Sequence, residues 1–270
     1  DGRFGPGLPA ISDGQMLFLL NGVKKLKEGS GRMAIIQNGS SLFTGDAGSG
    51  ASEIRRFVIE GDLVDTIIQL PTDLFYNTGI TTYIWVLTKG KDVYRRGKVQ
   101  LIDASKCFVK RRKNIGSKRV DLDDVCIDLI LRAYEGFENE IYKEDDLVVE
   151  SKVFENSFFG FTKVTVETAQ ADKDGKFILK KGKKQPVKGA SDTEIIPLSE
   201  DSEAYMKKNV LPYNPLAYID PAKDKIGYEV PFTRLFYKFE APVSSDSIFE
   251  EIKALEAEET ILMKELFGHA

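Results

Sequence analysis

Several things are scarce in this sequence. Cysteine appears twice, at Cys107 and Cys126, too few and too well separated for the framework of a disulfide-stapled domain. Histidine appears once, at His269, so a zinc centre would lack its usual ligands and no metal is expected. No apolar run approaches the roughly 18 residues of a membrane span, and no charged-then-apolar leader opens the chain. Excess charge is missing as well: 38 Lys and Arg stand against 42 Asp and Glu, a net charge of -4. Any basic footprint for a polyanion must therefore be local. Unpaired thiols and the absence of a leader together predict a cytoplasmic protein.

What is present is an ordinary globular composition. The chain has 270 residues, 42% apolar and 30% charged, enough for one large domain or two small ones. It opens on Asp1 in a stretch rich in glycine and proline, and reads as a piece of a longer polypeptide. Ser12 and Asp13 are capping types ahead of Met16, Leu17, Leu19, Leu20, Val23 and Leu26, whose spacing predicts a helix over 13–28. Met33 to Ile36 is a short buried-strand run, a second helix is expected over 52–60, and strands are expected over 64–70, 81–88 and 98–103. Strands alternating with helices predict an α/β sheet with parallel members. Too little chain joins 64–70 to 81–88 for a crossover helix, so that pair is expected to be antiparallel.

From residue 105 the character changes. Lys106, Lys110, Arg111, Arg112, Lys113, Lys118 and Arg119 form a basic run, after which 122–142 reads as one amphipathic helix with Val125, Leu129, Ala133, Phe137 and Ile141 on a stripe. Strands over 161–168 and 177–181 flank Asp174-Gly175, a hairpin signal. The lysine- and glycine-rich tract 176–190 reads as a mobile loop. Residues 213–239, dense in proline and aromatics, read as an irregular segment laid over another surface. Ser247 and Glu250 then fit a capping box. Ile248, Ile252, Leu255, Glu259, Leu262 and Leu266 recur at alternating steps of four and three, a coiled-coil-like seam with one acidic interruption. These shifts divide the chain into 1–104, 105–190, and a tail 191–270 that carries a helix at 247–267.

Each feature that could carry chemistry has a plainer reading beside it. Asp46-Ala47-Gly48-Ser49-Gly50 has the form of the acidic-then-glycine loop that holds the methionine part of S-adenosylmethionine. Such a loop must leave a buried strand directly, and here 38–44 intervene, which favours a plain connection into the next helix. The basic run offers Lys110, Arg111, Arg112, Lys113, Lys118 and Arg119 to a phosphate backbone or to solvent. Phe75 and Tyr76, in the loop between two strands, either stack on a base or pack in the hairpin core. Glu53 and Arg55 read as capping and surface charge. The seam residues meet a partner helix or pack within the chain.

Taken in order, Gly31-Arg32-Met33-Ala34-Ile35-Ile36, Gly39, Leu42-Phe43, Glu53-Ile54-Arg55, Val64-Asp65-Thr66-Ile67-Ile68-Gln69-Leu70-Pro71, Leu74-Phe75-Tyr76-Asn77-Thr78-Gly79-Ile80 and Trp85-Val86-Leu87 closely resemble the modification (methylation) subunit of type I restriction-modification systems. The tail agrees, through Glu194-Ile195-Ile196-Pro197-Leu198, Val210-Leu211-Pro212-Tyr213, Ile226-Gly227-Tyr228-Glu229-Val230-Pro231-Phe232-Thr233-Arg234 and Phe236-Tyr237. The resemblance implies an adenine-specific DNA methyltransferase, moving a methyl group from S-adenosylmethionine to N6 of a flipped adenine. That family holds the adenine amino group with an Asn-Pro-Pro-aromatic tetrapeptide. No such string occurs here: Asn214-Pro215-Leu216 lacks the second proline, and Asn21 stands where relatives often have histidine.

The resemblance therefore implies the C-terminal part of a Rossmann-like methyltransferase sheet in 1–104, with the cofactor loop and the tetrapeptide expected upstream of residue 1. Strands 32–37, 64–70 and 81–88 would be the last three of that sheet, the final pair antiparallel, followed by an α+β tail. Phe75 or Tyr76 would meet the flipped base. The seam helix would meet the specificity subunit, and the implied partners are DNA, that subunit and the restriction subunit. Two rivals stay open: a non-catalytic α/β module that assembles a complex, and a nucleotide-binding enzyme using 46–50.

Overall fold

The computed structural model describes residues 2–173, 176–239 and 241–268, so the Asp174-Gly175 signal and His269 lie outside the described residues. The chain divides into two units, Asp1–Phe232 and Thr233–Ala270.

In the first unit, α1 (Gln15–Lys25) buries Met16, Leu19, Leu20 and Val23 at helical spacing. It is followed by β1 (Arg32–Asn38), a single turn α2 (Ser40–Phe43), and α3 (Gly50–Glu60). The Ser49 hydroxyl caps α3 by accepting the Ser52 N–H, and Ile54, Val58 and Ile59 face inward. The next strands are β2 (Val64–Gln69), β3 (Thr82–Thr88) and β4 (Lys98–Lys106). β3 inserts between β1 and β2 and is antiparallel to both, with Trp85 opposite Ile35 on one side and Ile67 on the other. β2 and β4 are parallel. The indole of Trp85 is fully buried and its Nε1–H donates to Ser41 Oγ at 3.2 Å, so the ring's polar atom is satisfied inside the core. The antiparallel pair and the parallel members expected from the sequence are both present.

Beyond β4 come β5 (Val109–Ile115), β6 (Lys118–Asp121), α4 (Asp124–Gly136), β7 (Glu140–Glu144) and β8 (Leu147–Glu155). β8 pairs with β4, giving the order β1-β3-β2-β4-β8-β7. The single helix expected over 122–142 is thus a helix and a strand. Asp123 caps α4 through the Cys126 N–H at 2.9 Å, and Phe137 ends it in the left-handed conformation with φ 47°. Leu129 and Ala133 of the predicted stripe are buried and, with Cys126 and Ile130, pack onto Ile68, Ile102, Ala104 and Val149, whereas Val125 is 40% exposed, Phe137 lies past the helix end and Ile141 lies in β7.

A second sheet is built on β9 (Gly160–Ala169). After it come a short hairpin of β10 (Leu179–Lys180) and β11 (Lys183–Lys184), then β12 (Pro186–Pro197), α5 (Ser202–Asn209), β13 (Ala217–Ile219) and β14 (Lys225–Tyr228). The partner of β9 is β12, from Ser191 opposite Glu167 to Pro197 opposite Phe161, and not the predicted 177–181, which meets the preceding chain through an Ala171–Phe177 bridge and the Ile178 N–H on the Gln170 carbonyl. The tract 176–190 is likewise a hairpin and the start of β12, not a loop. Val164, Val166, Ile196, Met206 and Ala217 make this sheet's core.

The segment 213–239 is not irregular, since it forms β13 and β14, but β14 does lie over another surface, that of α3. Tyr228 N–H donates to Ser52 Oγ at 2.9 Å, its hydroxyl bonds Glu60 at 2.9 Å, and its carbonyl accepts from Arg55 Nε at 2.5 Å. Arg55 is therefore no surface charge. It is fully buried, and also donates to the carbonyls of Ser41 and Thr44, joining α2, α3 and β14. Burial lowers its pKa to about 10. Glu53 does sit at the surface, beside Arg56 at 3.8 Å. A last turn, α6 (Phe232–Phe236), begins at the unit boundary.

The second unit holds α7 (Ser245–Phe267), none of whose residues is buried. Its cap is Ser244, which accepts the Ser247 N–H at 3.1 Å. The capping box expected at Ser247 and Glu250 is not formed, because Ser247 already lies in the first turn.

Candidate nucleic-acid interface

β1, β2 and β4 all run in one direction, so their carboxyl ends share one edge of the sheet, the edge at which open α/β sheets take ligands. The loop 71–80 leaves β2 there and returns as β3, closed at its base by Leu70 N–H on the Thr82 carbonyl at 2.9 Å. Asp73 is left-handed, φ 57°, and its carboxylate packs against Gly79, where a Cβ would lie 2.5 Å from Oδ1. A Phe75–Thr78 bridge tightens the tip. Phe75 is half-buried and Tyr76 is 62% exposed.

The basic run is the β5–β6 hairpin, and its turn grips the aromatic loop. Ser117 N–H donates to the Tyr76 carbonyl at 2.9 Å, and Arg119 N–H to the Asp73 carbonyl at 2.8 Å. Lys118 Nζ donates to the Leu74 carbonyl at 3.1 Å and lies 5.5 Å from the centre of the Tyr76 ring. A Cβ on Gly116 would meet the Tyr76 carbonyl at 2.4 Å, which fixes glycine there. The two groups of residues singled out in the sequence for a base and for a phosphate backbone are therefore one structural piece.

Within that piece the cations divide. Lys118 and Arg111 both pair with Asp121, and Lys118 first, then Arg111, holds that carboxyl below its usual range. Lys110, Arg112, Lys113 and Arg119 are exposed and form no ion pair among the described residues. The cation at the Tyr76 ring, Lys118, is thus itself paired, while the four unpaired cations lie on the same hairpin; an exposed ring and exposed cations on one structural piece are the chemistry that takes a base by stacking and a phosphate by charge.

Beside this edge, at the end of β1, lies a polar cluster that sequence reasoning missed. Gln15 Nε2 donates to Asn38 Oδ1 at 2.8 Å and to Asp13 Oδ2 at 3.0 Å, and Ser40 Oγ donates to Asp13 Oδ2 at 2.5 Å. The Ser40 hydroxyl is the main reason the Asp13 carboxyl lies below its ordinary value. The available signal was position: polar residues flanking the carboxyl end of a strand.

The other sequence candidates lie elsewhere. The loop 46–50 is a connection: Asp46 pairs with Lys163 at 2.8 Å, Gly48 N–H donates to the Ile226 carbonyl at 3.1 Å, and a Cβ on Gly50 would lie 1.9 Å from the Leu8 carbonyl oxygen. Its space is filled by the chain's own backbone. Asn214 bonds Thr168 Oγ1 at 2.8 Å within the second sheet, and Asn21 accepts from Arg3 at 2.7 Å. Ile248, Ile252, Leu255, Glu259, Leu262 and Leu266 lie along exposed α7. Among the described residues no group of three or more His, Cys, Asp or Glu could hold a metal, and no helix is long and apolar enough to cross a membrane.

The sequence model of the N-6 DNA Methylase family matches residues 1–174. The chain belongs to that family. Similar curated proteins are type I restriction enzyme methylase subunits. The MjaIX subunit of Methanocaldococcus jannaschii is 41% identical over 71 residues, 26% of this chain and 13% of that protein. The HindI subunit of Haemophilus influenzae is 33% identical over 104 residues, 38% of this chain and 22% of that protein. These matches thus span less than a quarter of the relatives' length. A solved methyltransferase subunit of a type I restriction-modification system from Streptococcus thermophilus aligns over 59% of this chain and 31% of its own, at 31% identity and a TM-score of 0.48. Methylases of this family use S-adenosylmethionine. The glycine-rich loop at 46–50 of this N-6 DNA methylase chain, packed against Leu8 and Ile226, offers that cofactor no cradle.

Proposed function

We propose that this chain forms the DNA-facing, C-terminal part of the methylation subunit of a type I restriction-modification system, which transfers methyl from S-adenosylmethionine to adenine N6. The observation that carries the reading is the grip of the basic hairpin 109–121 on the aromatic loop 71–80 at the carboxyl edge of the sheet. In it, Tyr76 or Phe75 stacks on an extruded adenine, Lys110, Arg112, Lys113 and Arg119 face the phosphate backbone, and Lys118 and Arg111 brace the hairpin. The cofactor loop and the Asn-Pro-Pro-aromatic tetrapeptide are supplied by sequence outside these 270 residues. Charge-neutral Arg112→Gln with Lys113→Gln in the whole subunit tests it. DNA affinity should fall alike for all sequences, and the slope of log affinity against log salt should flatten by about 2, near 0.9 per lost phosphate contact. An unchanged slope would remove the hairpin from the DNA.

The exposed apolar face of α7 supports an assembly role, with the specificity subunit as the partner. Glu259 interrupts the seam, and a partner lysine or arginine opposite it would offset the cost of enclosing a carboxylate, whereas a parallel copy of the same helix would bring two carboxylates together. Leu255→Asp with Leu262→Asp should abolish assembly and leave the melting of the first unit unchanged. Retained methylation without assembly defects would instead mean that α7 packs elsewhere.

A further inference from the structure

The tract 176–190 contains six lysines and no acidic residue, a stretch of charge that the aromatic loop and the basic hairpin do not explain. It is built rather than loose. Ile178 N–H donates to the Gln170 carbonyl at 2.8 Å, and Gln170 N–H to the Gln185 carbonyl at 2.7 Å. The Lys184 ammonium lies 4.1 Å from the Phe177 ring centre and 5.1 Å from that of Tyr218. This base carries a tight turn at Lys181-Gly182, both left-handed with φ 51° and 77°. The β10–β11 pairing sets Lys180 directly opposite Lys183.

Like charges facing each other across an antiparallel pair are destabilising, and a lysine in the left-handed region adds strain. Lys180, Lys181, Lys183 and Lys188 are exposed and have no ion pair among the described residues, so nothing within the hairpin relieves that repulsion. A solvated charge tract needs no such anchoring. A rigid finger that presents clustered ammonium groups is suited to a polyanion, whose charge removes the repulsion on binding while the anchored base limits the ordering cost.

We propose that the finger 176–188 is a second contact for the phosphate backbone of duplex DNA, carried on the second sheet and distinct from the hairpin at 109–121. The choice of DNA rests on the DNA-binding reading above. It reads no sequence: lysines on a backbone fix position and raise affinity for any duplex.

The test uses the whole subunit and a labelled duplex of about 30 base pairs, with binding followed over roughly fourfold in salt concentration. Lys180→Gln, Lys181→Gln and Lys183→Gln together should flatten the salt slope by about 2 to 3 and weaken binding roughly tenfold, with an unchanged circular dichroism spectrum. Lysine acetylation of the unmutated subunit gives a second readout, in which duplex DNA should protect these three residues. A flattened slope for the Arg112 and Lys113 variant but not for the finger variant, or unprotected finger lysines, overturns this proposal alone. Unchanged slopes in both variants, or no DNA binding by the subunit, overturn the proposal and the reading it rests on. Loss of affinity for an acidic peptide but not for DNA assigns the finger to a protein partner and likewise overturns it.

Discussion

At the amino edge of the six-stranded sheet Arg95 is 4% exposed, pairs with Asp65 at 2.9 Å and lies against the rings of Tyr94, Tyr134 and Phe137. Tyr134 donates to the same Asp65 oxygen at 2.8 Å, and nearby Lys91 pairs with Asp62 at 2.6 Å. On the hairpin that grips the carboxyl-edge loop, Arg112, Lys113 and Arg119 are exposed and form no ion pair among the described residues. The same residue types, arginine and tyrosine, thus close one edge and are left open on the other. Cations that stabilise a fold are paired and desolvated. Exposed, unpaired ones do little for stability, and their placement together points to a ligand.

The largest expected effect breaks or keeps this contrast directly. Asp65→Ala leaves the Arg95 guanidinium buried without its carboxylate and should cost about 3–5 kcal/mol in denaturant unfolding. Arg112→Ala and Lys113→Ala should each stay within about 0.5 kcal/mol. If the two edges respond alike, the division between structural and functional charge fails.

Next, Tyr76→Ala in the whole subunit should weaken productive DNA binding by about 1–3 kcal/mol, the size of one base–aromatic stack, with melting temperature unchanged. Phe75→Ala at its half-buried neighbour should lower the melting temperature. A loss of stability from Tyr76→Ala with normal binding would make that ring a core residue.

The amino edge also predicts a pH dependence. Burial alone would raise the Asp62 pKa, but bonds from Lys91, Asn156 and the Gly97 N–H outweigh it, so the folded carboxyl lies below its ordinary 3.8. A depressed pKa contributes stability above the unfolded value, and that contribution is lost as pH falls through 3.8 and below. The difference in melting temperature between the native chain and Asp62→Asn should therefore be greatest near neutrality and shrink in acid. The carboxyl-edge variants should show no such convergence.

The smallest effect concerns Cys107, whose thiol burial, with Cys126 beside it, pushes up to about 12. In the folded chain at pH near 8 it should not react with a thiol reagent, and its labelling should begin only with unfolding.

Local elements were legible in the sequence because each is set by neighbours in the chain. The apolar run at 33–36, the helical stretch at 52–60 and the short connection from 71 each gave the right element, and the last gave the antiparallel pair, although 33–36, a buried-strand pattern in the sequence, instead alternates between half-buried and exposed, with Ile36 52% exposed. What was not legible depends on residues far apart. Arg55 reads as surface charge until Tyr228, 173 positions on, supplies the carbonyl it bonds. The helix at 124–136 could not be separated from the strand at 140–144 by periodicity, since Phe137 ends it by a left-handed turn rather than by glycine or proline. The aromatic loop and the basic run were each noticed, but their union depends on backbone bonds from 117 and 119 to 76 and 73, which side-chain patterns do not encode.

The order of assembly follows from the insertion of β3. Because it lies between β1 and β2, those two strands never pair with each other, and neither β1 nor the near side of β2 has its hydrogen bonds made until residues 82–88 arrive. On a ribosome that adds roughly 5–20 residues each second, β1 would wait several seconds with both edges unsatisfied. Its pairs with β3 lie from 44 residues apart at Asn38–Thr82 to 56 at Arg32–Thr88, a non-local closure that slows folding and makes this interval the one in which a chaperone has most to hold.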